Sequence, residues 1–498
     1  MNAALLETHA AVLFFVGDRA YKLKKPVDLG FLDFRRRADR ERVCRREVTL
    51  NRRLAPDVYL GVADVTGPDG TPCDHLVVMR RMPAERRLST LVRSGAPVEH
   101  HLRRLARMLA AFHSTARRGP EISAEGTRDA LLGRWDATFD QLRPFHGGVL
   151  DAGTAARIET LTHAFLAGRE PLFAARIAAG KVVDGHADLL ADDIFCLDDG
   201  PRILDCIEFD DRLRYVDVLD DAAFLAMDLE QLGAARLGAA FLDWYAEFSG
   251  DPAPAALRHH YLAYRAFVRA KVACLRHAQG DPSAAADVAA YAGLTLRHLR
   301  DGVVRLIVVG GPPATGKTTL AGHLADRLHA VVLGSDRIRK ELAGRNPESG
   351  AAAAYRHGIY SPDWTARTYA ELGSRARHLL EQGETVVLDA SWSAARNRSA
   401  VRRLAAEVSV PVVELRCECH PETVARRLRH RSVNAVDASD ADAAIAGALT
   451  ADADPWPEAV AIRTDGDPGR STDDAVAAAL CTGPAPRSTR ATAVRLPA

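Results

Sequence analysis

Near the middle of the chain an apolar run, Leu306 to Val309, leads into Gly310-Gly311 and then into Gly316-Lys317-Thr318-Thr319. Four residues separate Gly311 from Gly316, and Leu320, Leu324 and Leu328 follow at helical spacing. No other segment constrains the fold so tightly. A strand, a glycine loop and a helix in this order describe a P-loop, whose strand belongs to a parallel sheet. Amides of the loop and of the helix N-terminus then point at phosphates, and the helix dipole favours their charge. In that arrangement Lys317 reaches the β- and γ-phosphates while the Thr318 hydroxyl holds Mg²⁺. Gly311, Gly316, Lys317, Thr318 and Thr319 are therefore read as a nucleotide site, with ATP and Mg²⁺ as its cofactors.

The rest of the chain sets the frame. Its 498 residues leave room for roughly three domains of ~150 each. With 66 basic against 65 acidic residues the net charge is +1, which argues against a general nucleic-acid or membrane-surface binder. Eight cysteines lie scattered without a CxxC pair, as expected of reduced thiols in the cytoplasm. Cys417-Glu418-Cys419-His420 offers metal-ligand types, but it closes the alternating run of Val412, Val413 and Leu415 and reads as a strand end. No apolar run is long enough to span a bilayer, so a cytoplasmic location is expected.

Along the chain, residues 11–25 read as two short strands around a Gly17-Asp18 turn. A charged helix follows from Phe34 to Leu54, then strands at Val58 to Val65 and His75 to Met82. Helical spacing takes over after Pro83 (Leu102, Leu105, Leu109, Phe112), gives way to strands and loops over 181–209, and resumes from Asp220 to about Gly280. The expected domains are 1–300, with a small lobe of about 1–83 and a large lobe of about 84–300, and 301–480. A basic tail rich in Pro, Ser and Thr over 481–498 reads as disordered.

Beyond the P-loop, the strand Ala330 to Leu333 ends in Gly334-Ser335-Asp336 with Arg339 one turn on. A carboxylate at that strand end can accept the proton of an attacking hydroxyl, and Arg339 can clamp an anion; the alternative is that Asp336 caps the next helix. Thr385 to Asp389 has Walker-B form, which makes Asp389 a partner of Mg²⁺ or else a strand-end turn residue. The Arg-dense helix from Pro421 to Arg431 can lower Arg427 and Arg431 onto phosphates as a lid, or simply present a solvated face. This order of parts resembles the small P-loop kinases that include polynucleotide kinase, zeta toxins and gluconate kinase, over roughly 303–480. The resemblance implies an α/β domain with a doubly wound parallel sheet and phosphoryl transfer to a hydroxyl.

In the first half, His186-Ala-Asp188 is followed by Asp193 and by Asp205-Cys-Ile-Glu208. A kinase loop needs an Asp to deprotonate the hydroxyl, a metal ligand five residues on, and a second metal ligand at the next strand end. Asp188, Asp193 and Asp205 stand at those spacings. Lys22, in Arg19-Ala-Tyr-Lys22, has the place of the third-strand lysine that neutralises phosphates, unless it is only an edge-strand charge. Glu47 is its expected partner and Glu41 the reserve; Met79 to Pro83 would form the hinge. The loop resembles that of aminoglycoside phosphotransferases (His-Gly-Asp-x-x-x-x-Asn, then Ile-Asp-x-Glu), whose fold is the α+β, protein-kinase-like two-lobed one. Asp217 and Asp221 keep that family's later pair of acids. Three positions depart from it: no glycine-rich loop joins the first strands, Asp193 stands for Asn, and Ala187 stands for Gly.

The whole chain resembles the bacterial bifunctional aminoglycoside phosphotransferase/ATP-binding proteins, in which these two modules are fused. Tyr21 to Pro26, Asn51 to Leu60, Asp205 to Phe209 and Arg212 to Tyr215 carry that likeness. The resemblance implies an ATP- and Mg²⁺-dependent kinase acting on a small hydroxylated molecule and leaves the substrate open. Two alternatives stand beside it. One is a nucleotide-sensing regulator whose first half is a pseudokinase. The other is a nucleic-acid 5′-hydroxyl kinase, for which Arg265, Arg269 and Lys271 could form a basic stripe.

Overall fold

The computed structural model describes residues 4–7, 10–28, 33–346, 356–434 and 443–481. The chain divides into two compact units. One comprises 1–155, 173–253 and 258–298; the other comprises 156–172, 254–257 and 299–498. The expected tail begins with Cys481, the last residue of a helix, and 482–498 lie outside the described residues.

The first unit opens with an antiparallel sheet of β1 (Ala4–Glu7), β2 (Ala11–Val16), β3 (Arg19–Lys24), β4 (Tyr59–Thr66) and β5 (Pro72–Arg80), ordered β1-β2-β3-β5-β4. The edge strand β1 escaped the sequence reading: Ala-Leu-Leu-Glu has no alternation of its own and pairs with Phe15 to Val12 in register. The helix Arg37–Asn51 covers the sheet and closes a core of Ala20, Cys44, Val48, Val58, Val77 and Met79. Its mixed, arginine-rich sequence carries little amphipathic signal, yet Glu47 and Asn51 sit on the buried face with Val43 and Val48. Both are partnered there, Glu47 by Lys22 and Asn51 by the Cys206 amide.

Helices build the second lobe of this unit. Trp135, Phe139 and Phe267 stack with ring centroids 5.3 to 5.6 Å apart and anchor the helix Arg128–Leu142 to the helix Ala255–Ala278. Two small ribbons are set into this lobe. β6 (Val182–Asp184) pairs with β9 (Tyr215–Asp217), and β7 (Ile194–Leu197) with β8 (Gly200–Ile203). The loop between β6 and β7 carries Asp188 and Asp193; the chain leaving β8 carries Asp205.

In the second unit β10 (Leu306–Gly310), β11 (Val331–Gly334), β12 (Val386–Asp389), β13 (Val412–Glu418) and β14 (Val460–Arg463) form an all-parallel sheet ordered β11-β12-β10-β13-β14. Ile307, Val309, Val387, Leu415, Leu320 and Leu324 share one core, which packs the helix Lys317–Leu328 onto the sheet. Buried on both faces, β10 and β12 read as unbroken apolar runs rather than as alternation. Strand order reverses at β10, so a crevice opens beyond its carboxyl end, where the P-loop lies.

Candidate functional site

In the P-loop unit the main chain itself is shaped to surround an anion. Gly311 (φ 134°), Ala314 (φ 61°) and Gly316 (φ 90°) all adopt positive φ, which turns successive amides along one concave side. A side chain at Gly310 would put its Cβ 2.3 Å from the Trp456 ring. The Lys317 ammonium donates to the Pro312 carbonyl at 2.8 Å. Thr318 donates its hydroxyl to Asp389 Oδ2 at 2.7 Å, joining the P-loop to the last residue of β12. Two hard oxygen donors side by side suit Mg²⁺.

Asp336 stands in the first turn of the helix Ser335–Leu342, at the end of β11. It does not cap that helix, whose N-cap is Gly334 without a side-chain bond. Burial pushes its carboxyl above the usual range, Arg339 and Lys317 pull it down, and Asp389 adds to the rise. Asp336, Lys317 and Asp389 thus act on one another at one end of the sheet. Arg339 is buried and partly committed elsewhere: it donates to the Ile359 carbonyl at 2.9 Å and the Thr365 hydroxyl at 3.2 Å, and lies 4.9 Å over the Tyr360 ring. It ties the helix of Asp336 to the segment 359–365, a role that spacing alone did not reveal.

The arginine-dense segment forms the helix Pro421–Asn434. Arg427 donates to the Ala314 carbonyl at 3.2 Å and the Thr464 carbonyl at 2.7 Å, so it rests on the P-loop rather than in solvent. Arg431 belongs to the same helix, and its side chain lies outside the described residues. Thr319 borders a cavity of about 410 Å³ beside the P-loop, together with Gly316, His323, Arg427, His430 and Thr464. Cys417 is a buried strand residue of β13.

The first unit assembles its charges from side chains. Lys22 on β3 reaches Glu47 Oε1 at 2.9 Å and Asp205 Oδ1 at 2.5 Å. Glu41 instead pairs with Arg45 at 3.0 Å on an outer face. Burial would lower the Lys22 pKa, but Asp205 and Glu47 outweigh it and raise it well above the usual value. Burial likewise works against the ionised Glu47, and Lys22 and Lys24 outweigh it. Asp205 has φ 64°, a strained value for a residue with a Cβ. The Tyr59 hydroxyl accepts its amide at 3.1 Å, and Asn51 Oδ1 accepts the Cys206 amide at 2.9 Å, which holds the bend.

Asp188 and Asp193 belong to the loop before β7, where the Leu204 amide donates to the Asp193 carbonyl at 3.0 Å and so sets Asp193 near Asp205. Burial raises Asp188 to about 7, with Arg269 opposing. Asp193 is pushed well up by burial and by the carboxylates of Asp205 and Asp188. Crowded carboxylates short of cations are the donor set a divalent cation would compensate, and Asp193 with Asp205 would hold Mg²⁺ here.

Asp221 supports the loop from behind. Its carboxylate accepts the amides of His186 and Ala187, both at 2.7 Å, and faces His113 Nε2 at 3.0 Å. Ala187 is thereby held at φ 69°, the conformation glycine would take more easily. Burial keeps His186 neutral, at about 4, so that Nε2–H donates to the Leu204 carbonyl at 3.1 Å while Nδ1 accepts the Asp188 amide at 3.3 Å. Asp217 serves the fold, clamping buried Arg176 at 2.6 Å.

The basic stripe does not form. Arg265 is buried, bound to Asp220 at 2.7 and 2.8 Å, and donates to the Ala187 carbonyl at 3.2 Å. Lys24 and His113 were missed by the sequence reading. For Lys24 the signal was present: it lies two residues from Lys22 on one strand and so on the same face. Among the described residues no helix is long and apolar enough to cross a membrane.

The first unit thus sets a lysine–glutamate pair beside the loop of Asp188 and Asp193, and the second carries a P-loop at the end of a parallel sheet. A family described as AAA domain matches residues 306–455. The chain belongs to the family of the uncharacterized protein Rv2004c of Mycobacterium tuberculosis, to which it is 45% identical over 469 residues, covering 94% of each chain. The protein Mb2027c of Mycobacterium bovis matches equally, at 45% over 469 residues and 94% of each. Among solved structures, a choline/ethanolamine kinase family protein from Mesorhizobium loti is similar at 17% identity and TM-score 0.39, covering 60% of this chain and 91% of that one. The APS kinase CysC of Mycobacterium tuberculosis is similar at 17% identity and TM-score 0.26, covering 35% of this chain and 96% of that one. At these scores the two structural likenesses decide nothing about this chain.

Proposed function

We propose that the protein is an ATP- and Mg²⁺-dependent phosphotransferase that moves the γ-phosphoryl group to a hydroxyl of a small metabolite, with a nucleotide site in each half. The observation that carries this reading is the meeting of Lys317, the Thr318–Asp389 pair and Asp336 at one end of the parallel sheet. As the acceptor oxygen bonds to the γ-phosphorus, the bond to the β,γ-bridging oxygen breaks. Asp336 takes the acceptor's proton, which its raised proton affinity favours. Lys317 and the loop amides balance the charge left on the diphosphate. Arg427 and the neighbouring cavity would border the nucleotide. Bound at Thr318 and Asp389, Mg²⁺ would supply charge neutralisation and hold the phosphates in line.

In the first half Asp188 would serve as the base and Lys22 would bind the α- and β-phosphates. Asp193 and Asp205 would hold the cation, and Met79 to Pro83 would pass the adenine. The crowding of Asp193 against two other carboxylates favours a second reading, in which this half binds nucleotide and gates its neighbour without transfer.

The test incubates the protein with ATP, Mg²⁺ and a metabolite extract and searches for phosphoryl additions by mass spectrometry. Lys317→Ala and Asp188→Asn run beside it. A product lost in one variant identifies both acceptor and half. No product anywhere, with ATP still bound, would leave the regulatory reading. A labelled 5′-hydroxyl oligonucleotide, expected to remain unphosphorylated, checks the nucleic-acid alternative.

A further inference from the structure

Lys24 lies two residues beyond Lys22 on β3, on the same face of the strand. It is 2% exposed, and its ammonium pairs with Glu47 Oε2 at 2.7 Å and with the Glu208 carboxylate. Glu47, wholly buried, therefore bridges two lysines: Oε1 faces Lys22 at 2.9 Å and Oε2 faces Lys24. Lys22 also holds Asp205 at 2.5 Å, and the Asp205 side chain keeps 44% of its exposure, open to the cleft. Two ammonium groups and three carboxylates thus form one connected cluster, with the inner end sealed and the outer end reachable.

Burying an ammonium is costly unless its partners repay the lost hydration, and Glu47 already has one lysine. The second cation has a use once the outer contact is exchanged. If Lys22 turns from Asp205 to incoming phosphates, its hold on Glu47 must survive. A glutamate held by Lys22 alone would follow that ammonium, whereas one fastened from behind stays as a fixed point. We propose that Lys24, with Glu208 behind it, is a positioning residue that fixes Glu47 so that Lys22 can exchange Asp205 for nucleotide phosphates. The proposal rests on the reading of the first half as a nucleotide site.

The experiment uses the full chain carrying Lys317→Ala, titrated with a fluorescent ATP analogue and Mg²⁺, with melting temperature measured in parallel. Lys22→Ala in this background comes first. If binding does not depend on Lys22, the nucleotide site of the first half fails, and the proposal falls with it. Where binding depends on Lys22, Lys24→Met is expected to weaken the analogue by about tenfold or more, as truncating a buried charge pair does, and to lower Tm. The double variant Lys24→Met/Glu208→Gln removes the stranded carboxylate charge. It should regain most of the Tm while the affinity stays low. Affinity that returns together with Tm, or that never fell in Lys24→Met, overturns the proposal and leaves Lys24 a structural charge only.

Discussion

In the P-loop unit the candidate anion site is main chain, bent at Gly311, Ala314 and Gly316 within one short loop. In the first unit the charges are side chains, and the Lys22–Asp205 contact joins residues 183 positions apart. The first arrangement is set by one short stretch of backbone. The second exists only while the fold holds its parts, and so it needs a supporting layer: Glu47 behind Lys22, Tyr59 and Asn51 behind Asp205, Asp221 behind the loop of Asp188. A local motif concentrates its function in few residues, whereas a dispersed one spreads dependence into the core.

The largest expected effect would break this contrast at its simplest point. Lys317→Ala should cut transfer by the P-loop half about 10²-fold or more while the fold survives, since the cradle is backbone. Turnover of the product found by mass spectrometry measures it, and a normal rate would remove Lys317 from the chemistry. A collapsed melting temperature would instead show that this site also depends on its side chains.

Next in size is the support behind the first site. Asp221→Asn keeps the shape but removes a buried charge that accepts two amides and faces His113. A loss of about 3–5 kcal/mol of stability is expected in urea denaturation, as for other broken buried networks. The corresponding Asp389→Asn, which keeps an oxygen to accept the Thr318 hydroxyl, should cost less. Equal losses would erase the distinction between the two sites.

The pH dependence sharpens the same point. Burial lowers His186 from 6.5 to about 4, so the folded state prefers the neutral ring. The unfolded chain then binds more protons between those values, and stability falls as pH drops from 6.5 toward 4. The total is about 3 kcal/mol. For Asp221 burial alone would raise the pKa, but the His113 hydrogen bond and charge outweigh it and hold the carboxylate below its usual range. Its contribution is present above the ordinary aspartate value of 3.8 and is lost as pH falls further. Hydrogen exchange over 182–221 should show this unit loosening on acidification through that window. His186→Gln should flatten the dependence above pH 4, and an unchanged slope would exclude His186 as its source.

The same contrast governs what the amino-acid sequence discloses. The P-loop, β10 and the helix after it are legible because glycine spacing and helical period are local facts. Lys22, Asp188, Asp193 and Asp205 are legible as positions on a spacing pattern, but their distances are not, because they depend on how a sheet and a helical lobe meet. Lys24 was visible as a second lysine on the same strand face and carried no sign that it would be buried. Arg339 and Arg427 were legible as cations near phosphate. That both rest against backbone carbonyls, Ile359 for one and Ala314 with Thr464 for the other, follows only from tertiary packing. Arg265 shows the opposite failure: helical spacing drew a basic stripe where Asp220 consumes the charge.

The smallest effect tests how each site holds its backbone. Ala187 at φ 69° and Ala314 at φ 61° both occupy the left-handed region, which costs an L-residue roughly 1–2 kcal/mol. Glycine removes that strain and gives back part of the gain through a more flexible unfolded chain, so each Ala→Gly change should stabilise by about 0.5–1 kcal/mol. The functional consequences should differ. At Ala187 the amide is fastened by Asp221 at 2.7 Å, so the loop keeps its shape and only stability responds. At Ala314 Arg427 holds the carbonyl at 3.2 Å, and freeing the backbone should weaken nucleotide binding several-fold even as the melting temperature rises. If Ala187→Gly lowers nucleotide affinity as much as Ala314→Gly does, the carboxylate does not fix its loop, and the dispersed site is no better braced than the P-loop.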